Sequence, residues 1–117
     1  MAQSKFSSAI QGVSEIDITV TGRTSGRSHT YPIWFVVDGE MLYLIPVKGS
    51  DTEWYKNVLK NPTIRLTSKG QTFTTNARIL TDEAHLNHIL EKFRDKYGRN
   101  VKSYYPKYDV ALEVSLA

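Results

Sequence analysis

Three stretches of the chain carry residue types from which a binding or catalytic site could be built. The first is Thr21-Gly22-Arg23-Thr24-Ser25-Gly26-Arg27-Ser28-His29, followed by Tyr31-Pro32-Ile33-Trp34. Its two arginines present forked donors that match phosphate and carboxylate oxygens. Its glycines let the backbone come close to an anion, and four hydroxyl side chains add further donors. The second stretch is Val47-Lys48-Gly49-Ser50, leading into Trp54-Tyr55. Lys48 and Gly49 stand just before an expected helix start, where free N–H groups and the helix dipole favour negative charge. The two stretches could bracket a phosphate-bearing ligand, with Trp34, Trp54 or the late tyrosines as a flat apolar wall. The third stretch is Tyr104-Tyr105-Pro106-Lys107-Tyr108. Its phenols can donate a hydrogen bond or a proton to a reacting oxygen.

Each stretch also has a plainer reading. A Gly/Ser/Arg-rich segment between strands is commonly a solvated turn. Trp54 and Tyr55 on a short helix serve a core as readily as a ligand wall, and the three tyrosines could simply pack one end of the fold. His85 and His88 share a helical face, yet no carboxylate or thiol is spaced to complete a metal site with them. The sequence has no glycine-rich phosphate loop of a familiar type, no serine in a nucleophile elbow and no pair of catalytic carboxylates.

The elements that must position these residues follow from periodicity. Phe6 and Ile10, four apart, suggest a short N-terminal helix. Ile16, Ile18 and Val20 alternate with polar residues, the signature of a half-buried strand. Thr30 to Val37 reads as a second strand, Asp38-Gly39 as a tight hairpin turn, and Met41 to Val47 as a return strand whose near-continuous apolar run implies that both faces are covered. Ser50 and Glu53 have capping-box spacing, so a helix with Trp54, Tyr55, Val58 and Leu59 on its apolar face is expected from there to Asn61-Pro62, where proline ends it. Ile64 and Leu66 mark a fourth strand, Lys69-Gly70 a turn, and Phe73 to Ile79 a fifth strand. Thr81-Asp82-Glu83 opens the longest helix. Its buried face is Leu86, Ile89, Leu90, Phe93 and Tyr97, and Gly98 stops it. Val110 to Leu116 alternates in a sixth strand. Hairpins dominate and no βαβ rhythm appears. The expectation is a mainly β, α+β domain: a six-stranded antiparallel split β-barrel with two or three flanking helices.

The chain has 117 residues, so residues 1–117 are expected to form a single domain. It contains no cysteine, which excludes disulfides and thiolate chemistry. No apolar run approaches the length of a membrane span, and Met1 to Gly12 lacks the pattern of a signal peptide. These features lead us to expect a cytoplasmic protein without integral membrane contact. The net charge is +3 and the pI about 9.2, a mild basic excess that favours anionic partners without choosing among them. Nucleic acid is not expected, because the basic residues are scattered rather than interleaved with aromatics along one strand face.

Thr21-Gly22-Arg23-Thr24-Ser25-Gly26-Arg27, then Pro32, Trp34, Lys48-Gly49, Trp54-Tyr55 and Asn61-Pro62, together resemble the deazaflavin-dependent nitroreductase and quinone-reductase family. The match in order and spacing runs from about Ile18 to Ile79. The resemblance implies a split β-barrel related to the flavin-binding pyridoxamine-phosphate oxidases, with coenzyme F420, a deazaflavin bearing a phosphate and a polyglutamate tail, as cofactor. It implies that Lys48, Gly49 and residues around Ser50 meet the phosphate region, with Val47 beside them a candidate cofactor-binding residue, and that Arg23 lies near the phosphate or the acidic tail. Pro32 and Trp34 would border the ring, and Trp54 is a further candidate cofactor-binding residue. Tyr104, Tyr105 and Tyr108 would line the substrate side, with Tyr108 the favoured proton or hydrogen-bond donor. His29 stands where relatives carry an arginine, a weaker anion contact at neutral pH. The implied activity is hydride transfer from reduced F420 to an electron-poor small molecule, a quinone, an enone or a nitro compound, by a homodimer. The alternative is a split-barrel protein that binds flavin mononucleotide (FMN) or haem without turnover of its own.

Overall fold

The computed structural model describes residues 2–116. Strands β1 (Ile16–Thr21), β2 (Ser28–Ile33), β5 (Thr63–Ser68) and β6 (Gln71–Asn76) form one four-stranded sheet in the order β2-β1-β5-β6. Strands β3 (Phe35–Asp38), β4 (Met41–Leu44), β7 (Arg78–Leu80) and β8 (Ala111–Ser115) form the other, in the order β3-β4-β8-β7. Every strand pair is antiparallel. The helices are α1 (Ala2–Ala9), α2 (Glu53–Lys60), α3 (Glu83–Tyr97) and the single turn α4 (Val101–Tyr104), with a 3-10 turn at Gly49–Asp51. No helix among the described residues is long and apolar enough to cross a membrane.

The mainly β, α+β character stands, but the expected six-stranded barrel is corrected to eight strands in two four-stranded sheets. Two of the expected strands are each interrupted by one residue, Trp34 or Ala77, and change sheet there. Such corners let two facing sheets exchange strands. At the first corner the Phe35 N–H donates to the Tyr97 hydroxyl at 3.0 Å, and the Phe35 carbonyl accepts from Lys96 Nζ at 2.8 Å. At the second, the Ala77 N–H donates to the Pro62 carbonyl at 2.9 Å. Backbone groups that leave a ladder thus find partners elsewhere, as buried polar groups must.

The main core lies between the sheets, where Ile18, Val20, Phe35, Leu42, Leu44, Leu66 and Leu112 meet Phe6 of α1 and Trp54, Tyr55 and Val58 of α2. A second cluster sits between the outer face of β3, β4 and β8 and helix α3, joining Val36, Tyr43, Ile45 and Ala111 to Leu86, Ile89, Leu90 and Phe93. That sheet is therefore covered on both sides, as the apolar run from Met41 implied. Alternation along β8 sends Leu112 and Val114 inward, while Glu113 faces outward beside Tyr43 and Arg78, its registered neighbours.

Helix α3 begins as expected: Asp82 accepts from the His85 N–H at 3.0 Å, and Gly98 at φ +99° ends it. Helix α2 begins at Glu53 rather than Ser50, and Leu59 is exposed rather than on the buried face. The β3–β4 turn is also displaced by one residue. Asp38 pairs with Met41, so Gly39 and Glu40 are the central residues, and only Gly39 takes positive φ. That is the pattern of a type II′ hairpin.

Candidate functional site

The β1–β2 turn is held closed by its own backbone: the Gly22 N–H donates to Arg27 O at 2.7 Å and the Gly26 N–H to Gly22 O at 3.0 Å. A Cβ at Gly22 would come within 2.7 Å of Ser25 Oγ and 2.9 Å of His29 Nε2, both movable side-chain ends, and 3.3 Å from the Arg27 carbonyl, so it would displace Ser25 and His29 and crowd the turn's own backbone. Arg23 then docks the turn onto α2. Its N–H and Nη1 both donate to Asn57 Oδ1, at 3.1 and 2.8 Å, and Nη2 pairs with Glu53 Oε2 at 2.8 Å. The Arg23 hydrogen bond, then its charge, then Lys56 hold the Glu53 carboxyl below its ordinary range. Arg23, expected as a ligand for an anion, spends its fork on the scaffold. Its neighbours Thr24, Ser25, His29 and Tyr31 line a shallow concavity of 320 Å³ beside Glu53 and Asn57.

The Lys48 loop is arranged differently from its sequence pattern. Gly49 has φ +56°, and the Lys107 carbonyl and the Asp109 carboxylate lie directly over it. The Ser50 N–H donates to Asp109 Oδ1 at 2.9 Å and Ser50 Oγ to Asp109 Oδ2 at 2.6 Å. The Ser50 donors expected to meet a phosphate thus already hold a carboxylate of the chain itself. Partial burial raises the Asp109 carboxyl, but the two Ser50 bonds and the Lys107 ammonium outweigh it and keep the group below its usual range. Lys107 in turn pairs with Asp51 at 3.0 Å. The Lys48 N–H donates to Thr52 Oγ1 at 2.8 Å, which fixes its backbone, while its side chain is exposed and makes no ion pair among the described residues. The acids of this neighbourhood are matched, Glu53 by Arg23 and Lys56, Asp51 and Asp109 by Lys107. Lys48 has no acidic partner among the described residues.

At the corner between the sheets, Trp34 stacks on Tyr97 and on Tyr104, with centroids 4.3 and 4.2 Å away, and meets Tyr105 edge-on. Pro32 is exposed on β2, and Val47 packs against the cluster under α3. Three expected site residues are placed in the scaffold. Trp54 is buried in the main core, so the plainer reading of that residue holds. Tyr105 is 1% exposed, its hydroxyl pushed well up by burial. Tyr108 is half-buried and donates to the Leu86 carbonyl at 2.5 Å, and burial raises it too. Tyr104 alone of the three is an exposed aromatic. The structure thus joins Val47–Ser50 to Asp109, Arg23 to His29, and Trp34 to Tyr104 and Tyr105. Asp109 and Lys107 were missed by sequence reasoning, and no local pattern could have found them, since Asp109 meets Ser50 across 59 positions.

A deazaflavin with an anionic tail needs a cation not already neutralised and an accessible flat wall. Lys48, with Arg27 and His29 exposed on the neighbouring turn, meets the first need, and Tyr104 backed by Trp34 meets the second. In chemical type, these exposed residues fit such a group. No cluster of metal-ligating side chains occurs among the described residues.

A family model described as F420H(2)-dependent quinone reductase matches residues 2–115. Among solved structures, a reductase dependent on reduced F420 (FDR-A) is 23% identical with a TM-score of 0.69, covering 87% of this chain and 94% of that one. A protein solved as a domain-swapped dimer is 21% identical with a TM-score of 0.69, covering 97% and 95%. A pyridoxamine 5′-phosphate oxidase-like protein of Listeria innocua is 18% identical with a TM-score of 0.64, covering 97% and 91%. At these identities the solved structures establish likeness of fold.

Proposed function

The chain belongs to the F420H(2)-dependent quinone reductase family, whose cofactor is coenzyme F420, and from that membership we propose that it reduces an electron-poor small molecule, a quinone, an enone or a nitro compound. Bound reduced F420 supplies hydride, and the protein supplies binding, orientation and electrostatics. The observation that carries the site assignment is the unmatched Lys48 ammonium at the mouth of a loop whose acids are all paired. In this reading Lys48 holds the phosphate region, and His29 and Arg27 face the acidic tail. Arg23 positions their turn through Asn57 and Glu53. Gly49 leaves room for Lys107 and Asp109 to close over the loop. Pro32 and the Trp34–Tyr104 stack border the ring, and the Tyr104 hydroxyl hydrogen-bonds the acceptor oxygen as charge develops there. Tyr105 and Tyr108 anchor the segment that carries Tyr104. A homodimer is supported by the neighbour solved as a domain-swapped dimer.

The test is a parallel titration of F420 and FMN into the wild-type protein and Lys48→Ala, followed by calorimetry. F420 should bind in preference to FMN. Losing one charge-assisted contact, ~1.5–3 kcal/mol, should weaken F420 by about tenfold to 150-fold. Equal F420 affinity in the variant removes Lys48 from the site. Preference for FMN would shift the assignment to a flavin-binding protein of the same fold.

A further inference from the structure

A further concavity is lined neither by Lys48 nor by the three C-terminal tyrosines. It has a volume of 640 Å³ and is bounded by the end of α1 and the following loop, by β3 and the β3–β4 turn, by the end of α3 and by Leu116. Ile10, Val13, Phe35, Val37 and Leu116 give it apolar walls. Lys96 reaches into it. The ammonium donates to the Phe35 carbonyl at 2.8 Å and sits 3.5 Å over the centre of the Phe35 ring, yet it pairs with no carboxylate among the described residues. Partial burial lowers its pKa to about 8, the side chain as a whole remaining exposed, and no carboxylate pairs with it among the described residues.

We propose that this cavity is a binding site for an amphipathic monocarboxylate, an aromatic or medium-chain acyl acid, whose carboxylate pairs with Lys96 and whose apolar part lies along Ile10, Val13 and Val37. The volume is in the range of small-molecule pockets. One cation, with a hydrogen already given to Phe35 O, matches a single delocalised negative charge. A phosphate dianion would need more donors and would be poorly solvated by these walls. Glu40, on the rim, is the acidic residue of the lining and disfavours multiply charged anions further. The site shares no residue with the Lys48 loop, so it stands whether or not that loop holds F420. Lys96 also pins the corner that carries Trp34, so occupancy should be visible as a change in Trp34 fluorescence.

The experiment is calorimetry of the intact protein, without F420, titrated with 4-phenylbutyrate, its neutral amide 4-phenylbutyramide and inorganic phosphate. The acid should bind one equivalent, the amide about tenfold or more weakly, in line with the loss of a charge-assisted hydrogen bond, and phosphate not measurably. Lys96→Met should weaken the acid to the level of the amide, and Lys96→Arg should keep most of the affinity. Val37→Trp, at an exposed strand position, should fill the cavity and abolish binding with Lys96 intact, which covers the case in which Lys96→Met does not fold. Absence of saturable binding by 4-phenylbutyrate, equal binding of acid and amide, or undiminished binding in Val37→Trp would each overturn the proposal.

Discussion

Replacing Gly49 by alanine tests the arrangement of the Lys48 loop directly. The added methyl would collide with Asp109 Oδ1 and come within 2.8 Å of the Lys107 carbonyl and 3.0 Å of Lys107 Cγ. The backbone must also hold φ +56°, which costs a residue with a Cβ ~1–2 kcal/mol. Overpacking against a carbonyl that cannot move freely adds ~1–3 kcal/mol. The sum is roughly 3 kcal/mol, a large share of the ~5–15 kcal/mol expected of a domain. It should lower the melting temperature by about 10 °C. Gly70 provides the control, because it has φ +78° in a hairpin turn with nothing within 4 Å of where an added methyl would stand. Gly70→Ala therefore isolates the backbone cost at ~1–2 kcal/mol. Urea unfolding followed by circular dichroism gives both values, and the difference between them is the contact with the 107–109 segment. Removing the carboxylate by Asp109→Ala should make Gly49→Ala less costly in that background, as contacting residues couple. A Gly49→Ala cost equal to that of Gly70→Ala, unchanged in the Asp109→Ala background, would refute the claim that Lys107 and Asp109 close over Gly49.

Two further outcomes follow from the same geometry. Arg23→Ala should lower stability, with the hydrogen bond to Asn57 accounting for ~1 kcal/mol and the Glu53 pair for a salt-sensitive remainder, while F420 affinity falls less than in Lys48→Ala. The reverse order of affinity losses in the same titration would make Arg23 a ligand rather than a brace. The pH dependence of stability should show a rise from about pH 8 toward pH 10. Lys96 releases its proton near 8 when folded but only near 10.5 when unfolded, so across that window the unfolded chain binds more protons and higher pH favours folding. Above pH 10 the buried phenols act oppositely. Tyr97, raised to about 12, and Tyr105 and Tyr108, raised as well, keep protons in the folded state that the unfolded chain loses. Urea midpoints across pH 7–11 should therefore pass through a maximum, and Lys96→Met should abolish the rise while sparing the fall. A rise that persists in the variant would remove Lys96 as its source.

Much of this architecture is legible in local pattern. Ile16, Ile18 and Val20 alternate because one face of β1 meets the core, and the five residues expected on the buried face of α3 include Leu86, Ile89, Leu90 and Phe93, all buried. The corners at Trp34 and Ala77 are not legible. Each interrupts a strand by one residue, and the apolar spacing of Ile33 and Phe35 runs across the break unchanged, since both face the same core. The start of α2 differs from its sequence pattern for another reason. Ser50 and Glu53 have the spacing of a capping box, but Ser50 Oγ is taken by Asp109 and Glu53 by Arg23, so long-range partners displaced the local one.

The residues that look most chemical in the sequence prove divided between scaffold and site, and the 104–109 segment shows how. Tyr105 is sealed in the cluster under α3 and Tyr108 is bonded to the backbone of that helix. Flanking them, Tyr104 lies on Trp34 at one end and Asp109 on Ser50 at the other. A segment of six residues therefore links the corner at Trp34 to the Lys48 loop, and Tyr105 and Tyr108 fix it against α3 between those ends. Aromatic clusters serve this purpose well because each ring buries a large apolar area while its hydroxyl finds one defined partner. The same clustering that suggests three catalytic phenols is what a chain needs to hold one exposed phenol against Trp34. On that view the catalytic question narrows from three tyrosines to Tyr104, and the binding question from a row of cations to Lys48.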